Sequence, residues 1–159
     1  MLGRGFRSSL LSVALLITLS SASAWAGGCS LATLKGKYVA FEQGQFLFAV
    51  PPAFPEGPFV NAAKATFDGA GHFSGTYVAV VGSGEVREGP FSGTYSVAHD
   101  CTYSDDFNVR IPTVSGPIIV PLHHKGFITG EYILQEVHYI YVDPSDLIPG
   151  AISGTLKQQ

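Results

Sequence analysis

Few side chains in this 159-residue sequence are of types that do chemistry, and their spacing narrows what that chemistry is. His123 and His124 are adjacent, so on a strand they point to opposite faces and do not share one metal ion without a bulge. Glu136 and His138 stand two apart, which puts them on one face of a strand, together with Tyr132 and Leu134 where that strand is regular. Facing a barrel lumen, the pair would move protons or hold a polar ligand group, so Glu136 and His138 are the candidate catalytic residues. Facing water, it is an ordinary polar pair. Asp100, Asp105 and Asp106 cluster beside Cys101, where they either attract calcium or follow the usual preference of Asp for turns. Neither Cys-x-x-Cys nor His-x-x-x-His occurs, so no metal site and no cofactor are expected.

Nucleophile and nucleotide motifs fail on inspection. Gly71-His72-Phe73-Ser74-Gly75 does not match Gly-x-Ser-x-Gly, and Gly69-Ala70-Gly71 reaches Ser74 where a dinucleotide loop needs its third glycine. Aromatic residues are the remaining clue. Tyr38, Phe67, Phe73, Tyr77, Phe91 and Tyr95 fall at alternating positions that can converge on one interior. If that interior is incompletely filled, Tyr38, Tyr77 and Tyr95, with His138, are the candidate ligand-binding residues for a small apolar molecule. If it is filled, the same rings are the core of a small barrel.

The elements that position these residues are strands. Four copies of one pattern recur: Phe73-Ser74-Gly75-Thr76-Tyr77, Phe91-Ser92-Gly93-Thr94-Tyr95, Ile128-Thr129-Gly130-Glu131-Tyr132 and Ile152-Ser153-Gly154-Thr155-Leu156. Each puts apolar-Gly-apolar on one face and polar groups on the other, as antiparallel structure with one wet side requires. Strands are predicted at 37–50 with a break at Gly44, 59–68, 72–81, 85–97 with an interruption at Gly89-Pro90, 107–114, 118–129, 133–142 and 151–157. Asp68-Gly69 signals a hairpin, His99 to Thr102 a turn, and Asp143-Pro144-Ser145-Asp146 a loop. The proline-rich stretch from Pro51 to Pro58 is a further loop that exposes Phe54. No amphipathic helix is evident. The expected fold is all-β: a small antiparallel up-and-down barrel of about eight strands, with a two-sheet sandwich as the alternative.

Residues 1–26 read as a signal peptide. Arg4 and Arg7 precede an apolar run from Leu10 to Leu19, and Ala24-Trp25-Ala26 fits signal-peptidase cleavage. That run is too short to remain as a membrane helix. The mature chain, 27–159, is then one domain that is secreted or periplasmic. A lipoprotein anchored through Cys29 is the alternative, since Gly28 before the cysteine suits acylation. Cys29 and Cys101 are the chain's two cysteines, and in an oxidising compartment they pair. Without Arg4 and Arg7 the chain carries seven basic residues against twelve acidic ones, and no basic patch, so nucleic acid is not an expected partner. Nothing in the sequence sets an oligomeric state.

Landmarks recur along nearly the whole mature chain: Cys29 to Tyr38, Thr66 to Thr76, Gly93 to Val97 with Asp100-Cys101-Thr102, and Ser153 to Lys157. Together they resemble an uncharacterised family of small secreted bacterial β proteins. The resemblance implies export and β architecture and transfers no catalytic residue. Cys-Ser-Leu near the start and Gly-x-Phe-x-Gly-Thr-Tyr in a hairpin look locally like avidin. Biotin sites in that family lean on tryptophan, and Trp25 leaves with the signal peptide. Allene oxide cyclase barrels share only the general architecture. Three functions remain open: a binding module with a small apolar ligand in the barrel, an enzyme of the cyclase or isomerase kind, and a structural or surface-interaction protein with no small-molecule site.

Overall fold

A computed structural model describes residues 28–47, 49, 54–82, 84–129, 136–141 and 150–159. The predicted leader, Gly130 to Tyr132 of the third motif copy, Leu134 and the loop at 143–146 lie outside the described residues. Eight strands run β1 (Lys35–Phe46), β2 (Gly57–Asp68), β3 (His72–Val81), β4 (Glu85–Val97), β5 (Thr102–Ile111), β6 (Ile118–Thr129), β7 (Glu136–Tyr141) and β8 (Gly150–Gln158). Each pairs antiparallel with the next, and β8 closes on β1, so the sheet is an up-and-down barrel rather than a sandwich.

Three strands differ most from expectation. β1 runs unbroken through Gly44 and ends at Phe46 rather than at 50. β5 starts at Thr102, five residues before Phe107, because Tyr103 and Asp105 continue the inward phase of Phe107, Val109 and Ile111. β4 runs unbroken through Gly89-Pro90, opposite Tyr77 and Thr76 of β3. Pro90 forgoes one donor, but its outward position leaves the inward stripe of β4 intact. The Asp68-Gly69 hairpin has a three-residue loop. Gly69 and Gly71 adopt φ of 79° and 105°, and the Asp68 carboxylate accepts from the backbone N–H of Ala70 and His72 at 2.6 and 3.0 Å.

The repeated glycine has a packing cause. Glycines face the lumen opposite aromatic rings of the neighbouring strand: Gly75 opposite Phe91, Gly89 opposite Tyr77, and Gly154 opposite Tyr139. A Cβ at Gly75 would stand 2.5 Å from the Phe91 ring, and one at Gly154 would stand 2.5 Å from that of Tyr139. Ring and glycine thus form one unit, with the ring taking the space the missing side chain leaves.

Buried residues of the connecting segments pack at both barrel ends. At one, a short 3-10 helix (Leu31–Thr33) and the fully buried Leu34 sit across the opening. The Tyr95 hydroxyl lies 2.9 Å from the carbonyl oxygens of both Leu31 and Leu34. The Cys29–Cys101 disulfide fixes this end, as predicted. It occupies the sulfur that a lipid thioether on Cys29 would need, so bridge and anchor exclude one another. At the other end Phe54 is buried, its ring 4.8 Å from Phe46. The expectation of an exposed Phe54 is therefore corrected: the ring packs inward on Phe46 and lines the lumen, because burying it there removes apolar surface from water.

Candidate functional site: the lumen and the outer groove

Inward positions are aromatic or aliphatic almost throughout, and the exceptions stand together in register. Besides tyrosines, Glu42, Asp105 and His124 are the buried polar or charged residues among the described ones, at 7%, 3% and 4% exposure. Strand alternation places Asp105 between Tyr103 and Phe107 on β5, and pairing brings it opposite His124 on β6. Its carboxylate accepts from the Tyr103 hydroxyl, from the His124 backbone N–H at 3.1 Å, and from His124 Nδ1 at 3.1 Å. Three hydrogen bonds thus converge on this one buried carboxylate. Burial and the Asp105 charge together push the Tyr103 phenol well above its ordinary value. Beside this group, Glu42 accepts from Tyr139 at 2.7 Å and from Asn61 at 2.9 Å. The His124 ring lies between those of Phe107 and Tyr139, at 4.8 and 4.4 Å.

This is a fixed Asp–His–Tyr arrangement of the kind that handles protons, but it has little room beside it. The lumen retains a cavity of about 70 Å3. That is space for a few waters, against the roughly 300 Å3 or more of small-molecule sites.

The predicted site residues are scattered by comparison. Tyr38 is fully buried, its ring 5.1 Å from Phe67, near the covered end. The Tyr77 hydroxyl donates to the Arg110 carbonyl at 3.1 Å, and Tyr95 holds the 3-10 helix. Glu136 and His138 do not face the lumen. Val137 and Tyr139 take the inward phase of β7, and the candidate pair lies outside with its groups 3.4 Å apart, Glu136 also meeting Lys157 at 2.8 Å. Of the two readings of Glu136 and His138, the placement is that of the surface polar pair and not of a pair in the lumen. His123 also faces outward and bonds Asp106 at 2.6 Å. The acidic cluster disperses: Asp100 caps the Thr102 N–H at the turn, Asp105 points in, and Asp106 points out. Among the described residues no three His, Cys, Asp or Glu side chains converge as a metal site.

Sequence reasoning missed Glu42, Tyr103 and Tyr139, and weighed Asp105 and His124 only as separate metal candidates, not as partners. A signal existed: Glu42 shares the phase of Tyr38, Ala40 and Phe46, and Asp105 that of Tyr103 and Phe107. A carboxylate in an apolar phase marks a buried polar partner.

Outside the barrel lies an open groove of about 1060 Å3. Phe41, Val60, Val78 and Val80 form one apolar side, and Phe127 and Ile140 the other; Ser153, Gly154 and Thr155 of β8 are among its lining. His138 borders this groove.

The buried phenols set an alkaline limit. Burial, with Tyr95 nearby, raises Tyr38 to about 12, while Tyr77 and Tyr95 are also raised by burial. In the unfolded chain these groups ionise near their ordinary value of 10.0. The fold binds their protons more tightly, so this stability is fully present below pH 10 and is lost as pH climbs from 10 towards 12. Tyrosinate absorbance of these buried groups should rise above pH 10 and cooperatively with unfolding. A single step at the ordinary value would contradict the buried placement.

No family model matches this chain, and no curated protein matches it. It is similar to a solved structure described as a redesigned beta barrel, with 13% identity over 81% of this chain and 94% of that one, at a TM-score of 0.43. Among the described residues, no helix is long and apolar enough to cross a membrane.

Proposed function

We propose that this chain is an exported, non-enzymatic barrel that works through its outer surface, with the apolar groove receiving a protein face. The disulfide accords with an oxidising compartment, the periplasm or beyond. The observation that carries the reading is the small lumen: a cavity of about 70 Å3 stands well below the roughly 300 Å3 or more of small-molecule sites. Asp105 and His124 then serve the core as a buried polar cluster. Tyr38, Tyr77 and Tyr95 serve as packing and anchoring groups.

Thermal unfolding of the mature chain with a series of small aromatic and aliphatic compounds tests this. The expected result is no saturable rise in Tm with any of them, since a ligand of the native state must stabilise it. A rise abolished by Ala63→Leu, which fills the lumen, but kept in Phe41→Ser would seat a ligand inside and overturn the reading. A rise lost in Phe41→Ser would make the groove a small-molecule site, and would overturn it equally.

A further inference from the structure

We infer that the lumen cavity is a binding site for buried water, seated on the carboxamide oxygen of Asn61. The inference goes beyond the surface reading above and does not depend on it. It begins with strand pairing. Glu42 of β1 stands opposite Asn61 of β2, and both take the inward phase of their strands. The next inward pair along the same two strands is Ala40 opposite Ala63. Two methyl groups fill little of a barrel interior, so space remains beside the Glu42 and Asn61 side chains. All four residues line the cavity of about 70 Å3. A buried water needs roughly 10–15 Å3 of such space, so size admits a few.

Hydrogen-bond accounting places the water. The donors on the polar wall go to carboxylates: Asn61 Nδ2 to Glu42 Oε2 at 2.9 Å, the Tyr139 hydroxyl to Glu42 Oε1 at 2.7 Å, and the Tyr103 hydroxyl to Asp105. Asn61 Oδ1 is different. It is buried, and among the described residues no group donates to it. Turning the amide over gives no relief, because its oxygen would then face the Glu42 carboxylate and its Nδ2 would lose that acceptor. A buried amide oxygen is costly to leave without a donor, so the site calls for a ligand that donates and is small enough for this space. Water has both properties. The Glu42 carboxylate lines the same cavity as an acceptor for its second hydrogen. Asp105 makes no such demand, since three bonds to protein groups already meet it. Phe67, Phe73 and Leu156 are among the apolar groups on the rest of the wall, which keeps the water to the Asn61 side.

Magnetic relaxation of water in solutions of the mature, disulfide-bonded chain is the test. The expected result is an 17O relaxation dispersion whose amplitude corresponds to roughly one to three long-lived waters per chain. A nuclear Overhauser effect from water to the Ala40 methyl group should accompany it. Ala63→Leu fills the space and Asn61→Leu removes the carboxamide at nearly constant volume, so each should abolish both signals. Phe41→Ser, at a position exposed on the outer surface, should leave both unchanged. A wild type with neither dispersion nor water contact at Ale40 overturns the inference and makes the lumen dry. Equal amplitude in wild type, Ala63→Leu and Asn61→Leu overturns it as well, because those waters then lie elsewhere. The Ala40 contact locates the water in the wild type itself, so the test stands even where a variant fails to fold.

Discussion

Serine at both Cys29 and Cys101 is expected to lower the unfolding free energy by about 4 kcal/mol, through the chain entropy the bridge removes from the unfolded state. The two cysteines are 72 residues apart, so the loop they close is long for a chain of this size. Native geometry adds a second consideration. Cys101 adopts φ of 68°, the left-handed region, in which a residue with a Cβ is held at a cost of roughly 1 kcal/mol. Glycine adopts that conformation freely, so Cys29→Ser with Cys101→Gly should lose about 1 kcal/mol less than the double serine variant. Urea unfolding of the three proteins measures both differences. The bridge also ties Cys29 beside the helix that covers one barrel end, where the Cys29 N–H donates to the His99 carbonyl at 3.2 Å. Loss of the bridge should therefore loosen that end first, seen as faster amide exchange at Leu34 than along β1. A double serine variant within about 1 kcal/mol of the parent would mean that the entropy of this loop is not what the bridge controls.

The barrel was legible because its strands obey one alternation and its turns carry Gly, Asp and Pro. The motif glycines pointed to close approach, and Phe91 over Gly75 and Tyr139 over Gly154 show what approaches. The inward phase of β7 was not legible. One phase holds Glu136, His138 and Ile140 and the other Val137, Tyr139 and Tyr141, and each mixes polar with apolar character. Tyr139 decides it, since the strands on both sides place glycines, Gly126 and Gly154, directly opposite. A ring fits there only from inside, and Ile140 is carried outward as a result. The polar cluster was hidden for a different reason. Asp100, Asp105 and Asp106 look alike as a string of acidic residues, and only the register of β5 against β6 pairs the middle one with His124. Registers depend on turns whose geometry is not written in residue types alone. Phe54 was misread because proline-rich loops are usually solvated, whereas this one carries a ring long enough to reach Phe46.

Asp105→Ala should cost about 3–5 kcal/mol, the range expected when one partner of a buried charged network is removed. The Tyr103 hydroxyl, the His124 backbone N–H and His124 Nδ1 all donate to this carboxylate, and the rings of Phe107 and Tyr139 flank the imidazole. Alanine removes the acceptor from all three donors at once. Tyr103→Phe removes a single donor and should cost only about 1–2 kcal/mol. Replacing Asp105 and His124 together by leucine removes the demand as well as the supply, and so should cost less than Asp105→Ala alone. That ordering separates a structural cluster from mere burial, because burial by itself would make the double replacement the worse of the two. Urea unfolding of the four proteins supplies it. An Asp105→Ala cost below about 1 kcal/mol would mean that water replaces the carboxylate as acceptor. The lumen would then be wet at its polar centre, and the cavity of about 70 Å3 would be the route by which water arrives.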